Sequence, residues 1–222
     1  MSTLYLLRHG QASFGEADYD QLSWLGELQA AEAGRFLAAR VGAFDRIVAG
    51  PSRRHAQTAR SALAAFEAAP TLEIEPALDE FAHGHTLLDA ARARCLSTGL
   101  DWPQTGAAQM RLYGAEIRRW ALEGEALPGV PTLDEFSRRA LTWFAQLAAQ
   151  LPRGQRVLAV TSAGVIAVLM CAVLRLPAGH MIDFVESIGN ASVTTLAFSG
   201  TRRGLVSFNV ATASDSAWSS RI

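Results

Sequence analysis

The chain has 222 residues, half of them hydrophobic and 18% charged, with a formal net charge of −1. That length holds a sizeable core and suits one large α/β domain or two small ones, and the composition excludes a disordered chain. The even charge balance gives no reason to expect nucleic acid or an anionic membrane surface as partner.

Leu4 to Leu7 is a short apolar run, read as a buried strand, and it ends on Arg8, His9 and Gly10. Asp20 to Arg40 carries Leu22, Leu25, Leu28, Ala31 and Phe36 at helical spacing, with Ser23 as N-cap and Gly42 as stop. Phe44 to Ala49 is a second strand, Arg53 to Ala69 an alanine-rich helix, and Leu72 to Glu75 a third strand by alternation. Gly84 to Val130 has weaker periodicity and scattered tryptophans, and reads as an insertion of short helices. Thr132 to Leu151 is an amphipathic helix opened by a capping box of Thr132 and Glu135. Arg156 to Thr161 is a strand of the fully buried kind, followed by a helix from Ala163 to Leu174. Ser192 to Phe198 and Leu205 to Val210 form a closing strand pair around Gly200 to Gly204, and the polar tail after Ala211 reads as frayed.

Strands alternating with helices predict a three-layer α/β/α sandwich with a mainly parallel sheet and an antiparallel edge. Residues 1–222 read as one domain, with a lid-like insertion at about 84–130. Cys95 and Cys171 have neither CxxC nor zinc spacing and read as free thiols, Cys171 buried, in a reducing compartment. No basic segment precedes an apolar stretch at the start, and Ala163 to Leu174 is too short to span a bilayer, so the expectation is a soluble cytoplasmic protein.

In such sheets, sites lie at the carboxyl ends of strands. Four strand ends carry unusual polar residues: Arg8-His9-Gly10, Gly50-Pro51-Ser52-Arg53-Arg54-His55, Leu78-Asp79-Glu80-Phe81 and Ser162-Ala163-Gly164. Arginine forks bind phosphate oxygens bidentately, and helix N-termini add N–H groups and partial positive charge. A neutral imidazole beside them is a good nucleophile, because the cationic neighbours depress its pKa. A nearby carboxyl can protonate a leaving oxygen and then deprotonate water. Together these residue types describe phosphoryl transfer through a phosphohistidine. Taken singly each has a plainer reading: one of Arg53 and Arg54 as a solvated helix face, Glu80 as a loop acid, Ser162 as an N-cap.

The residues also resemble a known family. Leu7-Arg8-His9-Gly10 with Gln11 resembles the RHG signature of the histidine phosphatase superfamily, the phosphoglycerate mutase-like proteins. Asp20 to Ala30 is similar to its LTxxGxxQA helix, Pro51 to Ala59 to its SPxxRAxQTA segment, and Leu78 to Phe81 to its LxE element. Val160 to Val165 occupies the place of its VSHGG element, and Asn190 to Val193 resembles its closing strand. The resemblance implies a phosphoglycerate mutase-like fold, with His9 as the phosphorylated nucleophile and Arg8 and Arg54 as the phosphoryl clamp. It implies Glu80 as the general acid/base, and no metal or other cofactor. Gly10 and Ser162 join the phosphate-binding set, with Gln11, Ser13 and His83 as candidate substrate or auxiliary residues. Two positions depart from the pattern: Gly50 stands where serine is usual, a small change, and Ser162 stands where the second histidine belongs. Losing one such donor costs on the order of 3 kcal/mol of transition-state stabilisation. His83 or His85 swinging in to supply the donor is one conceivable repair; the plainer reading of the two is a solvent-exposed loop pair.

The leading expectation is a phosphatase acting on a small phosphorylated metabolite. The alternatives are mutase-type phosphoryl transfer, a weakly catalytic phospho-ligand binder, and a serine hydrolase built on Ser162. The last lacks the G-x-S-x-G elbow, since Val160 stands at its first glycine, and leaves His9 and both arginines unexplained.

Overall fold

The structure is a computed structural model that describes residues 1–13, 20–82, 84–212 and 220. Six strands form one sheet among the described residues: β1 (Ser2–Arg8), β2 (Arg46–Ala49), β3 (Leu72–Ile74), β4 (Arg156–Thr161), β5 (Val193–Ser199) and β6 (Arg202–Val210). Their order is β3-β2-β4-β1-β5-β6. The first four run parallel, and β5 and β6 continue the sheet antiparallel. The mainly parallel sheet with an antiparallel edge is thus the observed architecture.

Strand alternation divides the core in two. On β1, Leu4 and Leu6 join one apolar cluster with α5 (Leu133–Gln150) and α6 (Ala163–Leu174), whereas Leu7 joins the other with α1 (Trp24–Val41) and α2 (Arg53–Leu63). Helices cover both faces, which gives the three layers. α6 is buried continuously from Ala163 to Cys171, so it needs no polar stripe. Two caps work as the sequence suggests. Ser23 Oγ accepts from Gly26 N at 3.1 Å to open α1, and Thr132 with Glu135 forms the capping box of α5.

Other expectations need correction. The second helix ends at Leu63 rather than Ala69, because Phe66 turns back to pack on Phe44 with ring centroids 5.4 Å apart. The insertion holds two full helices, α3 (Gly84–Ser97) and α4 (Gly106–Arg118), with a π-helical turn at Arg119–Glu123. Its organising contact is the buried Glu116, which takes Arg94 at 2.8 Å and Arg119 at 2.7 Å. A pairing across 22 residues leaves no trace in periodicity. A short helix, α7 (Met181–Val185), follows α6 and was not anticipated. Nor is the tail loose throughout. The carbonyl of Ser220 accepts from Asn190 N at 2.8 Å, and its hydroxyl accepts from Gln29 Nε2 at 2.9 Å.

Candidate active site

Adjacent strands β2, β4 and β1 end side by side, so their carboxyl-terminal loops must converge. They do so around a cavity of about 540 Å³ whose wall includes Arg8, His9, Arg54 and Glu80. α4 supplies much of the remaining wall through Met110, Arg111, Tyr113 and Ile117.

His9 leaves β1 where the chain turns against α1. The turn is possible because Gly10 and Gly26 meet backbone to backbone; a β-carbon on Gly10 would stand 2.2 Å from the Gly26 carbonyl oxygen. Gly10 N donates to Thr58 Oγ1 at 3.1 Å, and Gln11 N to Gln29 Oε1 at 2.8 Å. The His9 ring is oriented by its own loop, with Nδ1 2.8 Å from the Gly10 carbonyl. A carbonyl can only accept, so Nδ1 carries the proton and Nε2 keeps its lone pair. Burial, then the charges of Arg54 and Arg8 and the neighbouring His55, hold the imidazole pKa well below its ordinary 6.5. His9 is therefore a neutral imidazole whose Nε2 carries no proton.

Arg8 and Arg54, the arginines beside His9, are held differently. Arg8 Nη1 donates to the Ile188 carbonyl at 2.5 Å. Arg54, only 2% exposed, donates from Nη1 to Asp20 Oδ1 at 2.7 Å and from Nη2 to Ser162 Oγ at 3.5 Å. Its neighbour Arg53 lies on the exposed face of α2 and reaches Gln21. Asp20, which the sequence did not single out, also receives Arg53 N at 2.9 Å and so closes the first turn of α2.

Glu80 is seated by the start of α6. Its Oε2 accepts from Gly164 N at 3.1 Å and its Oε1 from its neighbour Phe81 N at 3.0 Å. A β-carbon on Gly164 would lie 2.1 Å from Oε1, so only glycine leaves room for the carboxyl. Burial raises the Glu80 pKa above the usual carboxylate range, against the two N–H bonds and the two arginines, which lower it. The carboxyl thus takes up a proton more readily than a surface glutamate.

Ser162 is buried at the N-terminus of α6, with no side-chain bond into its own helix. Its Oγ lies 2.6 Å from Nε2 of His55, a fully buried residue of α2. The His55 ring sits 5.5 Å from that of His9, and it fits because position 50 is glycine: a β-carbon there would stand 2.3 Å from Nδ1. Gly50 is therefore not a small change. His85 is exposed on α3, and His83 lies outside the described residues. Gln11 Oε1 accepts from Ser23 Oγ at 2.9 Å and Ser13 N donates to Gln21 O at 2.9 Å; neither residue lines the cavity. In the sequence His55 stands only as the last residue of the Gly50–His55 stretch, with no period or motif of its own. Its position beside Arg54 was the available signal.

Among the described residues, no group of three or more His, Cys, Asp or Glu side chains is placed to hold a metal ion. Also among them, no helix is long and apolar enough to cross a membrane. Cys95 and Cys171 are both buried free thiols, and burial pushes the Cys171 thiol up to about 11.

The model of the histidine phosphatase superfamily (branch 1) matches residues 4–211. The chain belongs to this superfamily. Among solved structures it is similar to mycobacterial glucosyl-3-phosphoglycerate phosphatase in complex with VO3. Those two chains share 26% identity at a TM-score of 0.68, over 94% of this chain and 99% of the other. The same phosphatase with inorganic phosphate matches at 26% identity and TM-score 0.67, over 96% and 99%. Phosphoserine phosphatase from Entamoeba histolytica with 3-phosphoglyceric acid shares the fold at 21% identity and TM-score 0.65, over 94% and 97%. No curated protein matches the chain.

Proposed function

We propose that this superfamily member is a phosphatase that hydrolyses a small phosphomonoester through a phosphohistidine on His9. The observation that carries the reading is the tautomer of His9. Its Nδ1 proton is committed to the Gly10 carbonyl, which leaves Nε2 unprotonated on a ring that lines a cavity with Arg8, Arg54 and Glu80. Nε2 attacks phosphorus as the P–O bond to the leaving group breaks, and the Glu80 carboxyl passes its proton to the departing oxygen. Water then attacks the phosphohistidine, the Glu80 carboxylate takes its proton, and the P–Nε2 bond breaks to release phosphate. The guanidinium groups balance the equatorial charge in both steps.

The similarity to phosphatases whose structures hold VO3 or inorganic phosphate supports a phosphoryl site. Beside Arg111 and Arg118, the wall presents Met110, Tyr113 and Ile117, which suits a phosphomonoester whose alcohol is partly apolar. The lid reading of residues 84–130 fits the share of this wall that α4 provides. The close Ser162–His55 pair invites a serine nucleophile. Yet Ser162 is 1% exposed, its backbone is extended at φ −107° and ψ 167°, and His55 Nδ1 faces Gly50 rather than a carboxylate.

The test is turnover of p-nitrophenyl phosphate and phenyl phosphate, with radiolabelled phenyl phosphate and a denaturing quench at alkaline pH to trap labelled protein. Wild type is expected to release phosphate and carry acid-labile label, and His9→Ala to lose both. Undiminished turnover in His9→Ala overturns the reading; vanadate binding without wild-type turnover replaces it with the binder.

A further inference from the structure

His55 is a fully buried imidazole that the reaction above does not use, yet three features are arranged around it. Gly50 leaves the gap that its Nδ1 side fills, since a β-carbon there would stand 2.3 Å away. Ser162 Oγ meets Nε2 at 2.6 Å. A side chain much larger than serine at 162 collides with the ring. The same hydroxyl lies 3.5 Å from Arg54 Nη2. Arg54 and His55 are consecutive in α2, so their side chains leave the helix about 100° apart and flank Ser162 from two directions.

A serine hydroxyl alone rotates about χ1 and is a poor anchor. One bound to a wedged, fully buried imidazole is not free to rotate. The guanidinium of Arg54 is then held at two points, Asp20 on Nη1 and Ser162 on Nη2, and a planar group held at two points has a fixed plane.

We propose that His55 is a positioning residue of the phosphoryl site: seated over Gly50, it holds Ser162 Oγ, and through that oxygen it fixes Arg54 beside His9. The inference rests on the phosphatase reading of the same site. The role differs from the donor role expected of His83 or His85: His55 acts through Ser162 and Arg54. Lowering of the His55 pKa by burial and by Arg54 keeps this imidazole neutral, so it positions without competing for the phosphoryl group.

The experiment is a double-mutant cycle with His55→Ala, Ser162→Ala and the double variant. It is read as kcat and KM for phenyl phosphate, beside thermal melts and His9→Ala. The expected result is a kcat loss on the order of 10²-fold in each single variant and no further loss in the double, because both remove one device. His55→Gln places an amide near the position of Nε2 and is expected to recover at least tenfold over His55→Ala, a gain that general packing does not provide. If His55→Ala does not melt cooperatively, Ser162→Ala and His55→Gln decide alone: the first must lose kcat by about 10²-fold, and the second must keep at least about a tenth of the wild-type value. A folded His55→Ala or Ser162→Ala with kcat within about twofold of wild type, or losses that multiply in the double variant, overturns the inference and leaves the phosphatase standing. Wild type without turnover or His9 label overturns the phosphatase reading, and this inference falls with it.

Discussion

Burial of His9 does two things at once, and both are local. The Gly10 carbonyl selects the tautomer, and desolvation with the arginines keeps the ring neutral. Glu80 is pushed the other way, so between the lowered His9 value and the raised Glu80 value the proposed nucleophile is neutral and the proposed acid protonated. The kcat/KM for an alkyl or phenyl phosphate should therefore fall as pH rises through the raised Glu80 value, while loss of His9 to protonation begins only well below 6.5. Glu80→Gln should remove the basic limb and lower kcat/KM by roughly 10²–10⁴-fold, and less for p-nitrophenyl phosphate, whose leaving group needs little protonation. Stability carries the same signature. His9 and His55 have folded pKa values below 6.5, so the unfolded chain binds protons first as pH falls. Their share of stability is complete above 6.5 and declines beneath it. Thermal melts across that range should drop with falling pH, and His55→Gln should flatten the slope.

At the scale of elements, close contacts between backbones decide where the side chains stand. The Gly10 turn rests on α1, tied by Gln29, Gln57 and Thr58, whose side chains each accept a backbone N–H near the site. These are motif residues that do no chemistry. Gly164 admits the Glu80 carboxyl at the first turn of α6. Gly164→Ala should displace the carboxyl, which is the movable end of its side chain, and leave the melting temperature nearly unchanged. A shift of about 1 Å in a reacting group costs on the order of 10²-fold in kcat, which phenyl phosphate turnover would reveal. Ser23→Ala is the contrasting case: loss of the α1 cap should cost about 1 kcal/mol in a denaturation curve, with kcat preserved.

Across the whole molecule, the sheet order brings three strand ends together, and α4, packed on α3, lines part of the cavity they form. Those helices are joined by a carboxylate that is 2% exposed, shared between Arg94 and Arg119, each about one-third exposed. Glu116→Ala leaves two cations facing a small cavity. The partial exposure of the arginines limits the cost to about 2 kcal/mol. The expected outcome is early proteolytic cutting within 84–123, with KM for phenyl phosphate rising more than kcat falls.

How much of this was legible follows physical lines. The apolar runs of β1 and α6 and the caps at Ser23 and Thr132 are local patterns of hydrophobicity and hydrogen bonding, and they appear in the fold where the residues put them. The polar strand ends were readable for the same reason, since a charged residue after an apolar run is conspicuous in one dimension. Helix α7 was missed because its five residues carry too little periodicity. The sequence by itself determined the layered sheet and the residues that end its strands, because burial and periodicity act between near neighbours. Only the tertiary structure decided that Asp20 holds Arg54, that Gly164 seats Glu80, and that Gly50 makes room for His55 against Ser162. Those are contacts between segments up to 107 residues apart, created by which strands lie side by side, and no local pattern encodes them.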